Sequence, residues 1–303
     1  MLKKNTKVFN HHIFNTNSAV EFVDFSNVQN SSFENLSLDK KVLAIQTNRL
    51  TPFNSNHGSN HGSNHSSNHS SNSPYLGFNL GLHVGDIPEL VEKNRQFLQS
   101  TLLCNIELCS IKLSNIKSRN TKIQWLEQVH GNKVVKVTAV SSQPITADAA
   151  FTTEKNICLS VMTADCLPIL LSSKQGDEIA AIHGGWRSLA TNIVNNTIQE
   201  MQTDASELCA WLGPCIGKDV FEVGEDVRKA FVDQNALFSQ AFFKHTLGKY
   251  LADLHCIAKI QLTLLGVKSI SALSECTFSN TDKYYSYRKN SITGRMASLV
   301  CLR

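Results

Sequence analysis

The longest apolar run of the chain, residues 157–171, is interrupted by Asp165 and is too short to span a bilayer. Its first half, residues 157–162, and a second apolar stretch at residues 178–183 are each predicted to form a β-strand. The second strand continues through a Gly-Gly-Trp-Arg turn into apolar residues at helical spacing. This order of strand, turn and helix constrains the chain to a fold that mixes both kinds of element. The apolar positions of the predicted helix are Leu189, Ile193, Val194, Ile198 and Met201.

Further helices and strands are predicted on both sides of this segment. One helix begins after Asp86 with a proline in its first turn, and another spans residues 252–265 and ends at Gly266. Strands that alternate with helices in this way favour a single α/β (α+β) domain with a mixed β-sheet sandwiched by helices. The remaining predicted strands are residues 209–212, residues 268–273 and a strand pair with a glycine-containing turn at residues 286–302.

One segment contains a repeat that does not suit a packed fold. Residues 56–71 read NHGS-NHGS-NHSS-NHSS and include no apolar side chain, so burial cannot offset the entropy lost on ordering them. We therefore expect residues 51–74 to be a disordered loop insert. The repeat is interpreted as an expansion in a tolerant surface loop, and the alternative is a tract that scavenges metal for the active site. Its histidines are His57, His61, His65 and His69.

Composition is typical of a cytoplasmic globular protein. Apolar residues make up 42% and charged residues 18% of the 303 residues. The net charge of +4 comes without a dense basic run, so neither nucleic acid nor a membrane is an expected partner. The N-terminus lacks the apolar stretch of a secretory signal, and the nine cysteines form no CxxC pair, which predicts reduced thiols in the cytoplasm. Cys104 and Cys109 are interpreted as buried packing residues.

Four segments place reactive side chains in loops or at predicted strand ends. His130, Cys166 and His183 are separated by 36 and 17 residues, and each alone is compatible with a purely structural role. Together, two imidazoles and one thiolate leave the fourth position of a zinc ion open, where bound water has a pKa of about 7. Asp165 is expected either to orient an imidazole or to cap a turn. The segments are QVHG at 128–131, TADCLP at 163–168, HGGWR at 183–187 and LGPCIG at 212–217.

The Gly184-Gly185 turn and Arg187 are candidates for binding an anion. Glycines allow backbone amides to approach an anion at the start of a helix, and the guanidinium of Arg187 suits a phosphate oxygen. The alternative is a tight turn followed by an exposed arginine. Arg288 and Arg295 flank a Thr-Gly turn and are candidates to complete the same pocket.

Six segments, taken in order, resemble the YfiH-type family. This family has been labelled as multicopper polyphenol oxidases or laccase-domain proteins and is also described as purine nucleoside phosphorylases. The resemblance covers residues 75–303, which are expected to form the catalytic YfiH-like domain, while residues 1–50 match only loosely. The segments are FNLGLHVGD at 78–86, WLEQVHGNKVV at 125–135, DAAFTTEKNICLSVMTADCLPILL at 148–171, AAIHGGWRSLA at 180–190, AWLGPCIGKDVFEVG at 210–224 and YSYRKNSITGRMASLV at 285–300.

The resemblance implies a fold, a ligand set and an activity. It implies a mixed α/β sandwich and metal ligation by His130, Cys166 and His183, with zinc as the expected ion and copper as the alternative. It also implies phosphorolysis of adenosine, inosine, guanosine and methylthioadenosine, with deamination of adenosine at the same site. Purine nucleosides and phosphate are then the expected partners. Asn79, in the first matching segment, joins Gly184, Gly185, Arg187, Arg288 and Arg295 as a candidate phosphate- or substrate-binding residue.

Two other functions remain open at this point. A multicopper oxidase needs about ten histidines, many in His-x-His pairs; only seven histidines lie outside the repeat and the chain has no such pair, which argues against this function. A metal-free hydrolase would use Cys166 as nucleophile and His130 or His183 as base. It needs the same residues as the metal enzyme, so the sequence does not separate the two.

Overall fold

Two β-sheets form the centre of the protein in the computed structural model, which describes residues 19–23, 41–51, 73–110 and 121–303. The α-helices are α1 (Pro88–Ser110), α2 (Trp186–Ala190), α3 (Ile193–Glu200), α4 (Glu225–Val232) and α5 (Leu254–Leu264). The strands are β1 (Val20–Phe22), β2 (Val42–Thr47), β3 (Lys122–Gln124), β4 (Leu126–Glu127), β5 (Val134–Lys136), β6 (Ile145–Thr146), β7 (Ala149–Thr152), β8 (Ile157–Thr163), β9 (Leu167–Ser173), β10 (Ile179–Gly184), β11 (Leu208–Leu212), β12 (Glu222–Gly224), β13 (Phe242–Lys244), β14 (Lys249–Ala252), β15 (Ser269–Ala272) and β16 (Met296–Leu302).

Both central sheets are mixed. The first has five strands in the order β1-β2-β16-β8-β3, and the second has six in the order β15-β11-β9-β10-β7-β5. Neighbouring strands are antiparallel except for β3 with β8, β11 with β15 and β5 with β7, which are parallel. Because β8 belongs to the first sheet and β9 to the second, residues 164–166 carry the chain from one sheet to the other. That crossing contains Cys166.

The two sheets pack face to face, and helices cover their outer faces. Leu159 and Val161 of β8 meet Leu170 of β9 in the apolar layer between the sheets. Leu98 of α1 packs on the outer face of the first sheet, and Ile257 of α5 packs on the outer face of the second. Strands buried on both faces lose the alternation of polar and apolar residues, which is why residues 157–171 read as one apolar run. The predicted mixed α/β class is confirmed, with two sheets between the helices.

Two predicted elements differ from those found. The helix predicted through residues 189–201 is divided into α2 and α3, because Asn192 takes a left-handed backbone conformation with φ of 68°. The strand pair predicted at residues 286–302 was wrong, since only β16 forms there. In the preceding segment the backbone N–H groups of Arg288 and Arg295 donate to the side chains of Asp165 and Asn79, so they are not available to a ladder.

Several expectations fall outside the described part of the chain. The His-Ser-Asn repeat at residues 56–71 lies outside it, and so do the side chains of Cys104 and Cys109. Within the described ranges, no helix has the length and apolar character needed to cross a membrane.

Candidate metal centre

The structure brings His130, Cys166 and His183 together. One ligand atom from each residue lies within 4.8 Å of the others, and Cys166 Sγ is 3.8 Å from His130 Nε2. His130 follows β4, Cys166 lies between β8 and β9, and His183 is in β10. Three segments far apart in sequence therefore meet at one edge of the sandwich, which spacing alone could not indicate.

The loop that presents His130 is organised by the carboxylate of Asp148. His130 has a positive φ of 59°, which is uncommon for a residue with a side chain. Asp148 accepts backbone hydrogen bonds from Val129 at 3.2 Å, His130 at 2.9 Å and Gly131 at 2.7 Å. These three bonds stabilise the turn and direct the exposed imidazole of His130 towards Cys166.

Asp148 also orients His183. Its Oδ1 lies 2.8 Å from Nδ1 of His183, and both side chains are buried. Since Nδ1 is engaged, Nε2 is the nitrogen left to bind a metal, which is the common arrangement of a metal-binding histidine held by a carboxylate. Asp148 was not among the predicted site residues. The only local signal for it is an acidic residue directly before the apolar strand β7.

The charges of the three groups are coupled. Burial opposes ionisation of the Cys166 thiol, but the charge of His183 and hydrogen bonds from His130 and His183 lower its pKa to about 6. Burial likewise opposes protonation of His183, but the charge of Cys166 and the bond to Asp148 raise its pKa to about 9. The pKa of Asp148 is lowered, because its bonds to His183, Gly131 and His130 outweigh burial. Without a metal, these shifts favour a thiolate at Cys166 beside an imidazolium at His183 near neutral pH.

Gly185 allows the chain to pass close to these ligands. A β-carbon at Gly185 would lie 3.1 Å from Cδ2 of His130 and 3.3 Å from Sγ of Cys166. At Gly184 it would lie 2.7 Å from the carbonyl oxygen of Leu167 on the neighbouring strand. Both glycines are therefore explained by close packing, and α2, which follows them, is only five residues long.

Of the two roles expected for Asp165, its contacts match the structural one and not the orientation of an imidazole. Its carboxylate accepts hydrogen bonds from Thr277 Oγ1 and from the backbone of Arg288, each at 2.6 Å. Its own carbonyl accepts from the backbone of Ile216 at 2.9 Å. The carboxylate that orients an imidazole is Asp148, and Asp165 instead holds the loops around Cys166 together.

A cavity of about 1100 Å³ opens beside the three ligands. Arg187, Arg288 and Arg295 line it, as predicted for an anion pocket, and so do two side chains that the sequence analysis did not single out, His83 and Arg95. Asn79 does not line the cavity. It is buried, and its Oδ1 accepts from the backbone of Arg295 at 2.8 Å while its amide donates to Asp86 at 2.8 Å. Its role in this structure is to position Arg295.

The donor set suits a single metal ion. Two imidazole nitrogens and one thiolate are ligands that zinc and copper both accept, and the cavity leaves one side of the set open. Among the described residues this is the one group of three or more histidine, cysteine or carboxylate side chains close enough to hold an ion. The geometry fits a mononuclear centre and does not select between zinc and copper.

Comparisons with known proteins identify the family of the chain. Residues 60–303 match the family model for multi-copper polyphenol oxidoreductase laccase. Purine nucleoside phosphorylase YfiH of Escherichia coli (strain K12) is 39% identical over 229 residues, which cover 76% of this chain and 88% of that protein. A purine nucleoside phosphorylase of Pseudomonas aeruginosa is 40% identical over 232 residues, with the same coverage of each chain.

Solved structures share the fold. The crystal structure of Neisseria meningitidis protein NMB0706 has a TM-score of 0.71 and 35% identity, and covers 86% of this chain and 94% of that chain. Bacillus licheniformis protein YfiH has a TM-score of 0.68 over 86% of this chain and 93% of its own, and at 23% identity it supports the fold alone.

Proposed function

This chain belongs to the multi-copper polyphenol oxidoreductase laccase family, and from that premise we propose that it is a purine nucleoside phosphorylase with one metal ion. The family description and the names of the relatives differ, since the relatives at 39–40% identity are named purine nucleoside phosphorylases. The observation that carries the proposal is the cluster of His130, Cys166 and His183, the one such group among the described residues, beside a cavity large enough for a nucleoside and phosphate. We include adenosine, inosine, guanosine and methylthioadenosine among the substrates.

Phosphorolysis requires a bound phosphate and stabilisation of a ribose that carries positive charge in the transition state. The cavity offers several arginines for the phosphate, and the side chains of Trp125, Phe221 and Tyr287 offer aromatic surface for a purine. Asp148 holds His183 through Nδ1 and so leaves Nε2 for the metal. These residues thus supply binding, orientation and charge around one open face.

Zinc is the metal we propose, held by His130, Cys166 and His183, and when bound it would supply a Lewis acid and lower the pKa of a water to about 7. Deamination of adenosine requires an activated water in place of phosphate, so the same site would serve both reactions. The cytoplasm is the proposed location, because the described cysteines, Cys166 included, are free thiols.

Two alternatives use the same residues. A laccase-type oxidase needs a cluster of several copper ions, and the described residues offer one group of ligands. A metal-free hydrolase would use the Cys166 thiolate as nucleophile, and its low pKa of about 6 suits that role. The second alternative is therefore the stronger of the two.

The test is product analysis with the purified zinc-loaded protein. Inosine and adenosine are supplied with and without inorganic phosphate, and free base, ribose 1-phosphate and inosine are separated by chromatography. The proposal expects base and ribose 1-phosphate in equal amounts, released only with phosphate. Base release that does not depend on phosphate would indicate a hydrolase, and oxygen uptake with a phenol would indicate an oxidase.

A further inference from the structure

We propose that Arg95 and Arg295, with His83 beside them, hold the inorganic phosphate of the reaction. All three side chains line the cavity that contains His130, Cys166 and His183. The choice of phosphate as the anion rests on the proposed function. The anion site itself rests on how these side chains are fixed and on the charges around them.

Arg95 is held with its guanidinium at the cavity wall. The guanidinium carbon lies 4.0 Å above the ring centre of Trp125, and Nε donates to the carbonyl of Leu80 at 2.9 Å. Nη2 is 3.9 Å from the sulfur of Met162, and a thioether is a weak acceptor. The stacking and the Nε bond fix the plane of the group, while its terminal nitrogens keep donors for an anion.

Arg295 is fixed from its backbone outwards. The buried Asn79 accepts from its backbone N–H, and Nη1 donates to the carbonyls of Thr293 and Gly294, both at 3.0 Å. Within the described ranges, Nε and Nη2 make no hydrogen bond. Their donors are therefore available to a ligand, and Asn79 is explained as the residue that sets the position of this arginine.

Neither arginine has a carboxylate at ion-pair distance among the described residues. Both are partly buried, and burial lowers the pKa of each. Glu92 acts on Arg95, and Cys166 and Asp165 act on Arg295, only as nearby charges that oppose the effect of burial without forming an ion pair. A bound dianion would stabilise both partly buried guanidinium groups further.

His83 is an exposed side chain of the same cavity lining, and it lies within electrostatic reach of both arginines. Loss of part of its solvent lowers the pKa of His83, and the charges of Arg295 and Arg95 lower it further. The imidazole is therefore neutral at pH 7 and has one N–H to donate. Arg295 also lies within electrostatic reach of Cys166 and Asp165, which oppose the effect of burial on its pKa. An anion held here would adjoin the metal ligands.

Arg187 and Arg288, the other two arginines predicted from the sequence, are less suited to this task. Arg187 is exposed, and its guanidinium stacks over its neighbour Trp186 at 4.5 Å. Arg288 is also exposed, and its Nη1 donates to the carbonyl of Glu222 at 3.1 Å. Solvent and salt screen such exposed charges. We therefore assign the phosphate to the partly buried pair Arg95 and Arg295.

The experiment measures the Kd of the zinc-loaded protein for inorganic phosphate by calorimetry. Arg95→Gln and Arg295→Gln are each expected to weaken it by roughly tenfold to a hundredfold, because each loses a hydrogen bond from a charged donor. Arg228→Gln is the matched control. Like Arg95, Arg228 stacks over an aromatic ring, that of Tyr250, but it forms an ion pair with Glu225 and does not line the cavity. The Kd of this variant for phosphate should equal that of the native protein.

Turnover separates this site from the proposed function. The KM for phosphate should rise in Arg95→Gln and Arg295→Gln in the same direction as the Kd and by a similar factor. An unchanged Kd and KM in both variants would overturn the site even if the protein is a phosphorylase. A larger loss of phosphate affinity in Arg187→Gln than in Arg95→Gln or Arg295→Gln would also overturn the site. If phosphate binding needs both arginines but no phosphorolysis occurs, the site stands and the proposed function fails.

Lysine variants cover the case in which a glutamine variant does not fold. Arg95→Lys and Arg295→Lys keep the positive charge but lose the planar fork. They are expected to weaken phosphate binding by a smaller factor than the glutamine variants would. Phosphate affinity equal to that of the native protein in both folded lysine variants would contradict the assignment.

Discussion

Asp148 Oδ1 lies 2.8 Å from Nδ1 of His183 and, at the same time, 2.9 Å from the backbone nitrogen of His130. One oxygen atom therefore positions two of the three proposed metal ligands. It orients His183 through the imidazole ring and His130 through the backbone N–H. The geometry of the centre depends on this carboxylate as much as on the ligands.

Asp148→Asn is expected to weaken zinc binding by about tenfold to a hundredfold, the usual effect of losing a carboxylate that orients a metal-binding histidine. An amide keeps the size of the side chain but cannot accept from every donor that the carboxylate satisfies. Competition with a chromophoric chelator measures the Kd. Asp177→Asn, which changes an aspartate bonded to Ser173 away from the cavity, is the control. Equal zinc affinity in the two variants would show that Asp148 does not support the centre.

Purified protein is expected to contain about one zinc ion per chain, since three protein ligands leave a single open position. Cys166→Ala should lose most of that zinc while the circular dichroism spectrum is retained. Elemental mass spectrometry measures the zinc content of the native protein and of the variant. Several copper ions in the native protein, or full zinc content in the variant, would contradict a mononuclear zinc centre.

Zinc binding should release protons in a way that depends on pH. At pH 7.5 the Cys166 thiol, with a pKa of about 6, has already lost its proton, whereas His183, with a pKa of about 9, still carries one. About one proton from these two groups should therefore leave per zinc at pH 7.5, and the number should rise as the pH falls through about 6 and Cys166 becomes protonated, since ligands bind in their deprotonated forms. Calorimetric titration with zinc in buffers of different ionisation enthalpy gives the number of protons released per zinc bound. Two protons at pH 7.5 would mean that the thiol is not ionised beforehand.

The protonation states also set the direction of a stability change in the metal-free protein. The pKa of Asp148 is lowered, so the stability it contributes is present above its ordinary value near 3.8 and is lost as the pH falls through the lower folded value. His183 has a raised pKa, so its contribution is present below about 6.5 and is lost as the pH rises through about 9. The lowered pKa of Cys166 acts in the opposite sense, since its contribution is present above about 9 and is lost as the pH falls through about 6. The two contributions largely offset each other between pH 6.5 and pH 9, so thermal melting of the metal-free protein should show a lower Tm below pH 3.8 and little change from pH 7 to pH 9. A Tm that rises steadily from pH 7 to pH 10 would contradict this assignment of charges.

Gly185→Ala and Gly184→Ala should have different effects although they are neighbours. At Gly185 the methyl would press on the ligands His130 and Cys166, so kcat should fall by about tenfold with little change in Tm. At Gly184 it would meet the backbone of β9, and overpacking of this kind costs about 1–3 kcal/mol of stability. Melting curves and turnover of both variants test this. If kcat and Tm fall by the same amounts in both variants, the methyl at Gly185 does not disturb the proposed ligands more than the methyl at Gly184.

The sequence predicted the ligand set through the resemblance, and the structure explains what it could not. His130, Cys166 and His183 stand in motifs that can be recognised one at a time. Asp148 acts on His183 across 35 positions, and nothing near it in the chain indicates that contact. Arg95 was missed for a similar reason. An arginine in a helix is usually a surface residue, and the sequence does not indicate that its guanidinium stacks on Trp125.

The sequence predicted several individual strands and helices, but it did not predict that the strands form two packed sheets. The predicted strands at residues 209–212 and 268–273 correspond to β11 and β15, and the helix at 252–265 corresponds to α5. The division into two sheets was not predicted, because β8 and β9 are buried on both faces and neither carries a polar side that would mark its sheet. The break at Asn192 also depends on tertiary packing, since asparagine is tolerated within a helix as well as in a left-handed turn.

Asp165 ties together segments that are far apart in the chain. Its two side-chain oxygens and its carbonyl bond to Thr277, Arg288 and Ile216, and the next residue is Cys166. An insertion or deletion of one residue in any of these loops would disrupt the hydrogen bonds of Asp165 and so displace the neighbouring thiol of Cys166. Homologous chains should therefore vary the identity of the exposed residues in these loops while keeping the loop lengths constant.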